Sequence, residues 1–400
     1  MTDNGFYTIC LLPWLRLDVA YECNGICLVP FQLQGDQDAN LNALKPSLEN
    51  ILASYVHIRG QPIDRCTIVT IKDNDPEWNI DDSDHERITE SLACFFLAAF
   101  SRNNYFAQHS TYINASALQP VFQRLRIPLQ GIALQHRRRD GSVLDGGYDH
   151  GDVKFSIPLE CKSLRPSMDP EFLNALGKAI KANTPFVRRL LTSLSFLRLA
   201  NTDQAHMSLD AEVILMGSSF EQLFDANNKY NLTCKYGEYF SPFKSKTVAD
   251  ALPSRPGIRP DAGMEEENKT WQLGRKFIQE LYDLRSAIVH GDDRNKRSWG
   301  WNIFEHLLMG AYIYPLATKL LLQEEKHYVL TDRDKIACKA IDILLSKTDW
   351  PDDVDEQNNH SIWQEGVSEA GHEFRSEKLA KLLEEGFFDK SEVTGTRRSC

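Results

Sequence analysis

The chain has 400 residues, of which 42% are hydrophobic, 25% charged and 10% aromatic. That composition excludes a disordered or fibrous chain and fits a globular protein of two or three domains. No run of about 18 apolar residues occurs, so no membrane span or membrane partner is expected. MTDNGFYTIC lacks the basic start and apolar core of a secretory leader. A cytoplasmic protein is the expectation. The net charge of −11 is concentrated: between Asp349 and Glu392 there are 13 Asp or Glu against four Lys or Arg. The remainder, at −2, can meet a polyanion over a short footprint. Nine cysteines are scattered, and Cys23 with Cys27 is the only close pair. With no second pair to complete a zinc site, reduced thiols are expected, with no metal and no cofactor.

Residues 1–165 read as a mixed, β-rich domain. Tyr7–Leu12, Ile26–Leu33, Cys66–Ile71 and Val153–Leu159 are short β-branched or aromatic runs bounded by turn-forming residues. Between them, Leu41–Val56 has a helical pattern. A second helix is expected from Ser83, as cap with Glu86 reaching back, through LACFFLAAF. RRRDG at 137–141 reads as a hairpin tip turning at Asp140-Gly141. Arg137, Arg138 and Arg139 there are either a phosphate-binding cluster or a solvated loop.

From Pro170 the pattern is nearly all helical, giving an α+β chain whose second domain spans 166–330. Pro170–Ala182, Pro185–Leu199 and Asp210–Asp225 are the first three helices. Val213, Gly217, Phe220 and Phe224 share the buried face of the third, where Gly217 allows close packing. Residues 226–268, polar and rich in Pro and Gly, read as a long connection. Lys269–His290 and Asn302–Glu325 follow, with Pro315 expected to kink the latter. Residues 331–400 read as a short helix, Asp332–Lys347, and an acidic tail that is loose over 351–373.

The stretch LYDLRSAIVHGDDRNK at 281–296 holds the one Arg-x-x-x-x-His match of the chain. With 24 arginines and 11 histidines, chance alone gives about 0.7 matches, so the spacing carries little and the setting must carry the rest. Phe277, Leu281, Leu284 and Ile288 form an apolar stripe, and Arg285 sits one residue beyond it. Ser286 and His290 are four apart and share a side. Gly291 supplies a left-handed stop, placing His290 at the negative end of the helix dipole. A structural reading stays open: Arg285 paired with an acid such as Glu221, and His290 capping its own helix.

In that setting LYDLRSAIVHGD resembles the signature of the HEPN superfamily, in particular its ApeA-like branch. The likeness covers roughly residues 170–325. It includes SSFEQLF, where Glu221 matches the acidic residue of an earlier helix in that family. The resemblance implies a HEPN-type helical bundle and metal-independent RNA cleavage. In that chemistry a ribose 2′-hydroxyl attacks the adjacent phosphate. An arginine, here Arg285, stays charged and grips phosphoryl oxygens in pairs. A histidine, here His290, can exchange a proton near neutral pH. One chain offers one such histidine where an acid and a base are both needed, so a homodimer through the motif helix is expected. Arg294, Lys296 and Arg297 would hold neighbouring phosphates, unless they form a solvated loop partly neutralised by Asp292 and Asp293.

The expectation is therefore an RNA-cleaving effector of bacterial anti-phage or toxin defence. Its N-terminal domain would bind a protein or phage-derived trigger. The alternative is a non-catalytic HEPN module that binds RNA, a nucleotide or a protein partner.

Overall fold

The computed structural model describes residues 6–35, 39–72, 80, 82–102, 114–126, 132–137, 140, 142–148, 153–158, 161, 166–202, 207–258, 265–292, 298–348 and 362–384. The fold is α+β, with an antiparallel sheet in the N-terminal part and a mostly helical C-terminal part. By contacts the chain divides into two compact units, residues 1–223 with 324–328, and 224–323 with 329–400.

The first unit is built on β1 (Phe6–Leu12), β2 (Tyr21–Cys23), β3 (Ile26–Gln32), β5 (Arg65–Ile71), β6 (Val121–Arg126), β7 (Ile132–Arg137) and β8 (Val143–Tyr148). They form one sheet in the order β2-β3-β5-β1-β6-β7-β8, every neighbouring pair antiparallel. Central β1 buries Ile9, Cys10, Leu11 and Leu12 together, as a strand covered on both faces must. Ile9, Leu11 and Ile68 meet Leu48, Ile51 and Leu52 of α1 (Ala39–Leu52). The other helix of this part, α2 (Asp82–Phe100), lies against β2 and β3.

Four N-terminal expectations change. The first helix ends at Leu52, and Tyr55–Val56 is instead a short strand, β4, parallel to β9 (Phe155–Ser156). Among the described residues of Val153–Leu159, only that two-residue piece is strand. Ser83, expected as a cap, lies inside α2. β6, β7 and β8 are three of the sheet's seven strands, and the sequence reading had marked only the turn between the last two. The hairpin at RRRDG does form, with Arg137 opposite Val143. Asp140 accepts from Ser142 N (3.0 Å) and Ser142 Oγ (2.6 Å), which hold its carboxyl below the usual range. Arg138, Arg139 and the side chain of Arg137 lie outside the described residues. Cys23 turns to Cys94 of α2, and the neighbouring thiol and burial push Cys94 well up.

Three helices complete the first unit. In α3 (Pro170–Ala182) Asp169 accepts from Phe172 N at 3.1 Å and Pro170 opens the helix. Asn183, left-handed at φ 47, closes it. Thr184 then caps α4 (Pro185–Ala200). α4 packs along α5 (Leu209–Leu223), where Ser193 Oγ donates to the Ser219 carbonyl at 2.5 Å. Gly217 lies on that buried face with Val213 and Phe220.

The second unit departs further from expectation. The supposed connection contains α6 (Lys229–Phe240), α7 (Val248–Ala251) and α8 (Glu265–Lys269). Its aromatic residues decide this: Tyr236 and Phe240 stack at 4.4 Å with neither exposed, so α6 is a core helix. α6, α7 and α11 (Asp332–Ser346) pack on α9 (Leu273–His290). α10 (Ile303–Glu324) includes Pro315. α12 (Ile362–Glu384) packs along α11, so residues 362–373 are helix rather than loose tail.

Candidate functional site

The candidate site is the C-terminal half of α9, which the fold fixes at both ends. At the N-terminus Gln272 makes no side-chain cap bond. The cap comes instead from α11, where buried Asp342 accepts from Gly274 N at 2.9 Å through Oδ1. Its Oδ2 accepts from Ser245 N (2.9 Å) and Lys246 N (3.4 Å). Burial raises Asp342 to about 6, against the pull of those N–H groups. At the C-terminus Gly291 is left-handed at φ 68. Gly291 N donates to Ile288 O (3.2 Å) and Asp292 N to Ala287 O (2.8 Å), a Schellman closure.

Between these ends Phe277, Leu281 and Leu284 are buried as the stripe requires, while Ile288 is half-buried. Arg285 and Ser286 are half-buried and His290 is exposed. Five residues of helix place Arg285 and His290 roughly 140° apart around the axis and about 7.5 Å along it. Within one chain they therefore serve different directions, whereas Ser286 and His290 share one. Asp283, two residues before Arg285, takes Lys229 of α6 at 3.1 Å. Glu221 is half-buried on α5 and belongs to the first unit, whereas Arg285 belongs to the second. Arg294, Lys296 and Arg297 lie outside the described residues.

Sequence reasoning missed a buried polar network beside this helix. Glu280, 7% exposed, accepts from Trp301 N at 3.1 Å and lies 3.5 Å from His306 Nε2. His306 Nδ1 is 2.9 Å from the Asn302 carbonyl, so Nδ1 carries the hydrogen and Nε2 is left as an acceptor. Burial pushes His306 down to about 4 and Glu280 up to about 7, the latter opposed by the N–H groups of Gly300 and Trp301. At neutral pH the imidazole is uncharged, and a protonated Glu280 suits its free lone pair. Arg255 grips Glu305 at 2.6 and 3.2 Å and also donates to the carbonyls of Gly300 and Lys347. Glu305 Oε2 accepts from Asn302 N (2.7 Å), and Asn302 Oδ1 accepts from Glu305 N (2.9 Å). The sequence did hold one signal for this: Asn302-x-x-Glu305 is a capping pair before an apolar run. Glu280 and His306 are too enclosed to meet a large substrate. Their role is to fix α9 against the loop entering α10.

No protein-family model matches the chain, no curated protein matches it, and no solved structure matches it.

Proposed function

We propose that the protein is a metal-independent endoribonuclease of HEPN type, with Arg285 and His290 as its reacting side chains. The observation that carries this reading is the placement of the pair on the last two turns of a helix capped at both ends, with His290 in solvent. Arg285 neutralises charge growing on the phosphoryl oxygens as the ribose 2′-oxygen attacks phosphorus. One His290 takes the 2′-hydroxyl proton, and the His290 of a second copy protonates the departing 5′-oxygen. The divergence of Arg285 and His290 around the helix favours two copies, since the groups of one chain face apart. Cleavage in this mechanism leaves 2′,3′-cyclic phosphate and 5′-hydroxyl ends.

The test is incubation of the purified full chain with total RNA in EDTA, followed by end-group analysis. His290→Ala and Arg285→Ala should each slow cleavage roughly 100-fold or more while the protein stays folded. 5′-phosphate products or an Mg²⁺ requirement would overturn the mechanism. A second reading, an RNA- or nucleotide-binding module without catalysis, is favoured by Ser286, a short side chain beside the pair where a larger polar group would reach further. RNA binding that is weakened by Arg285→Ala, with no cleavage, would select it.

A further inference from the structure

A cavity of about 490 Å³ opens in the second unit between α6, the turn that follows it and the segment joining α8 to α9. That volume is in the range of small-molecule sites. Its lining carries charges of both signs that are not paired with one another. Arg275 lies over Trp271, its guanidinium carbon 3.8 Å from the ring centre. The side chain passes Gly237 so closely that an added Cβ there would meet Arg275 Cδ at 3.1 Å. Arg275 is thus held in place by packing. Its Nε is buried with no hydrogen-bond partner, and its Nη2 has only the Cys234 thiol, at 3.8 Å. Glu238 and Glu267 line the same cavity, both exposed, and neither lies within ion-pair distance of Arg275. Lys244 is tied to the Thr270 carbonyl at 2.8 Å.

A guanidinium fixed by an aromatic face and left without a carboxylate is suited to receive one from outside. A dianion such as phosphate would meet two carboxylates in the same lining. A molecule with a carboxylate at one end and an ammonium at the other matches both signs, and the accessible lining of the cavity is otherwise mostly apolar, which suits an apolar body. We propose that this cavity binds a free apolar α-amino acid, its carboxylate on Arg275 and its ammonium on Glu238 or Glu267. This site is separate from Arg285 and His290 and does not rest on the ribonuclease reading.

The test is calorimetric titration of the full chain with L-leucine, L-methionine and L-phenylalanine. Comparison probes are 4-methylpentanoate, 3-phenylpropanoate, 2-phenylethylamine and inorganic phosphate. At least one amino acid should bind, and its counterpart lacking either charge should bind about tenfold or more weakly. Arg275→Gln should weaken binding by at least roughly tenfold. Glu238→Gln combined with Glu267→Gln alters only exposed side chains, so it remains informative if the Arg275 variant misfolds, and it should weaken binding similarly. The proposal fails if no amino acid binds at about 10 mM, near the weak end of useful affinities. It also fails if phosphate or a single-charge probe binds best, or if the Glu double variant binds like the parent.

Discussion

Glu280→Gln isolates the buried Glu280–His306 contact. The substitution keeps the shape and removes the titration; because Oε1 alone makes both contacts, the amide keeps either the acceptor for Trp301 N or a donor for His306 Nε2, a loss that does not vary with pH. A carboxyl ordinarily near 4.5 and held near 7 in the fold stays protonated in the native state over a range where the unfolded chain has lost its proton. Stability is then fully present below about 4.5, falls as pH rises, and levels off above about 7. One proton changes stability by about 1.4 kcal/mol per pH unit, so the fall is about 3 kcal/mol in all. His306 works oppositely, since burial holds it near 4. It withdraws stability as pH falls through the range from its ordinary value to about 4, partly hiding the Glu280 trend in the wild type. Subtraction removes that masking. Urea unfolding of both proteins across pH 4–8 should show the Gln variant gaining about 3 kcal/mol relative to wild type between pH 4.5 and 7. A difference that stays flat would show that Glu280 titrates alike in both states. A difference of opposite sign would show that a cation stabilises its charge. Either result refutes the desolvated-acid reasoning.

Two further outcomes follow from the same geometry. If each chain supplies half of the acid–base pair, sedimentation velocity at micromolar concentration should show a dimer, and full activity from a strict monomer would rule that out. Gly274→Ala places a methyl into the hydroxyl and ring of buried Tyr236 and near Ile341. Any helix-propensity gain, below about 1 kcal/mol because Gly274 is only the second residue of α9, should be outweighed by overpacking of about 1–3 kcal/mol, read as a lower urea midpoint; a raised midpoint would contradict the tight α6–α9 contact.

Features written in local signals were readable in the sequence. Pro170 at the first position of α3 and Gly291 after His290 mark helix ends through the backbone geometry they favour, and both ends stand as read. Strands β6 and β7 escaped because VFQRLR and IALQHR mix long polar chains among the apolar ones, and partner strands rather than local pattern decide their state. α6 escaped because KYNLTCKYGEYF is polar with a glycine inside, whereas its identity as a helix rests on burying Tyr236 and Phe240. The network about Glu280 needed contacts such as Arg255 with the carbonyl 92 positions away at Lys347, which no local pattern encodes. Within the site, α9, its stripe and its stop were visible. The neutral imidazole beside a raised carboxyl was not, because it depends on burial.

The acidic C-terminal segment now divides into three parts with different meanings. In α12 the acids serve the second unit itself: Glu373 and Glu377 take Lys339, which is only 7% exposed on its side chain, and Glu365 and Glu369 take Lys347. Lys339 needs such partners, because a buried ammonium left unpaired is strongly destabilising. Removing everything after residue 348 would therefore uncover Lys339 and Lys347, so any RNA affinity that this deletion created would say nothing about inhibition. Residues 385–400 carry three acids and three bases, so they contribute no net charge. The remaining polyanion is the connection 349–361, with Asp349, Asp352, Asp353, Asp355 and Glu356 and no Lys or Arg. If this run competes with RNA for the basic residues near the motif, neutralising those five as Asn or Gln should tighten RNA binding with α12 still in place. The gain should be largest at low salt and fade as ionic strength rises. Unchanged affinity at low salt in the folded variant would leave the run with no such role.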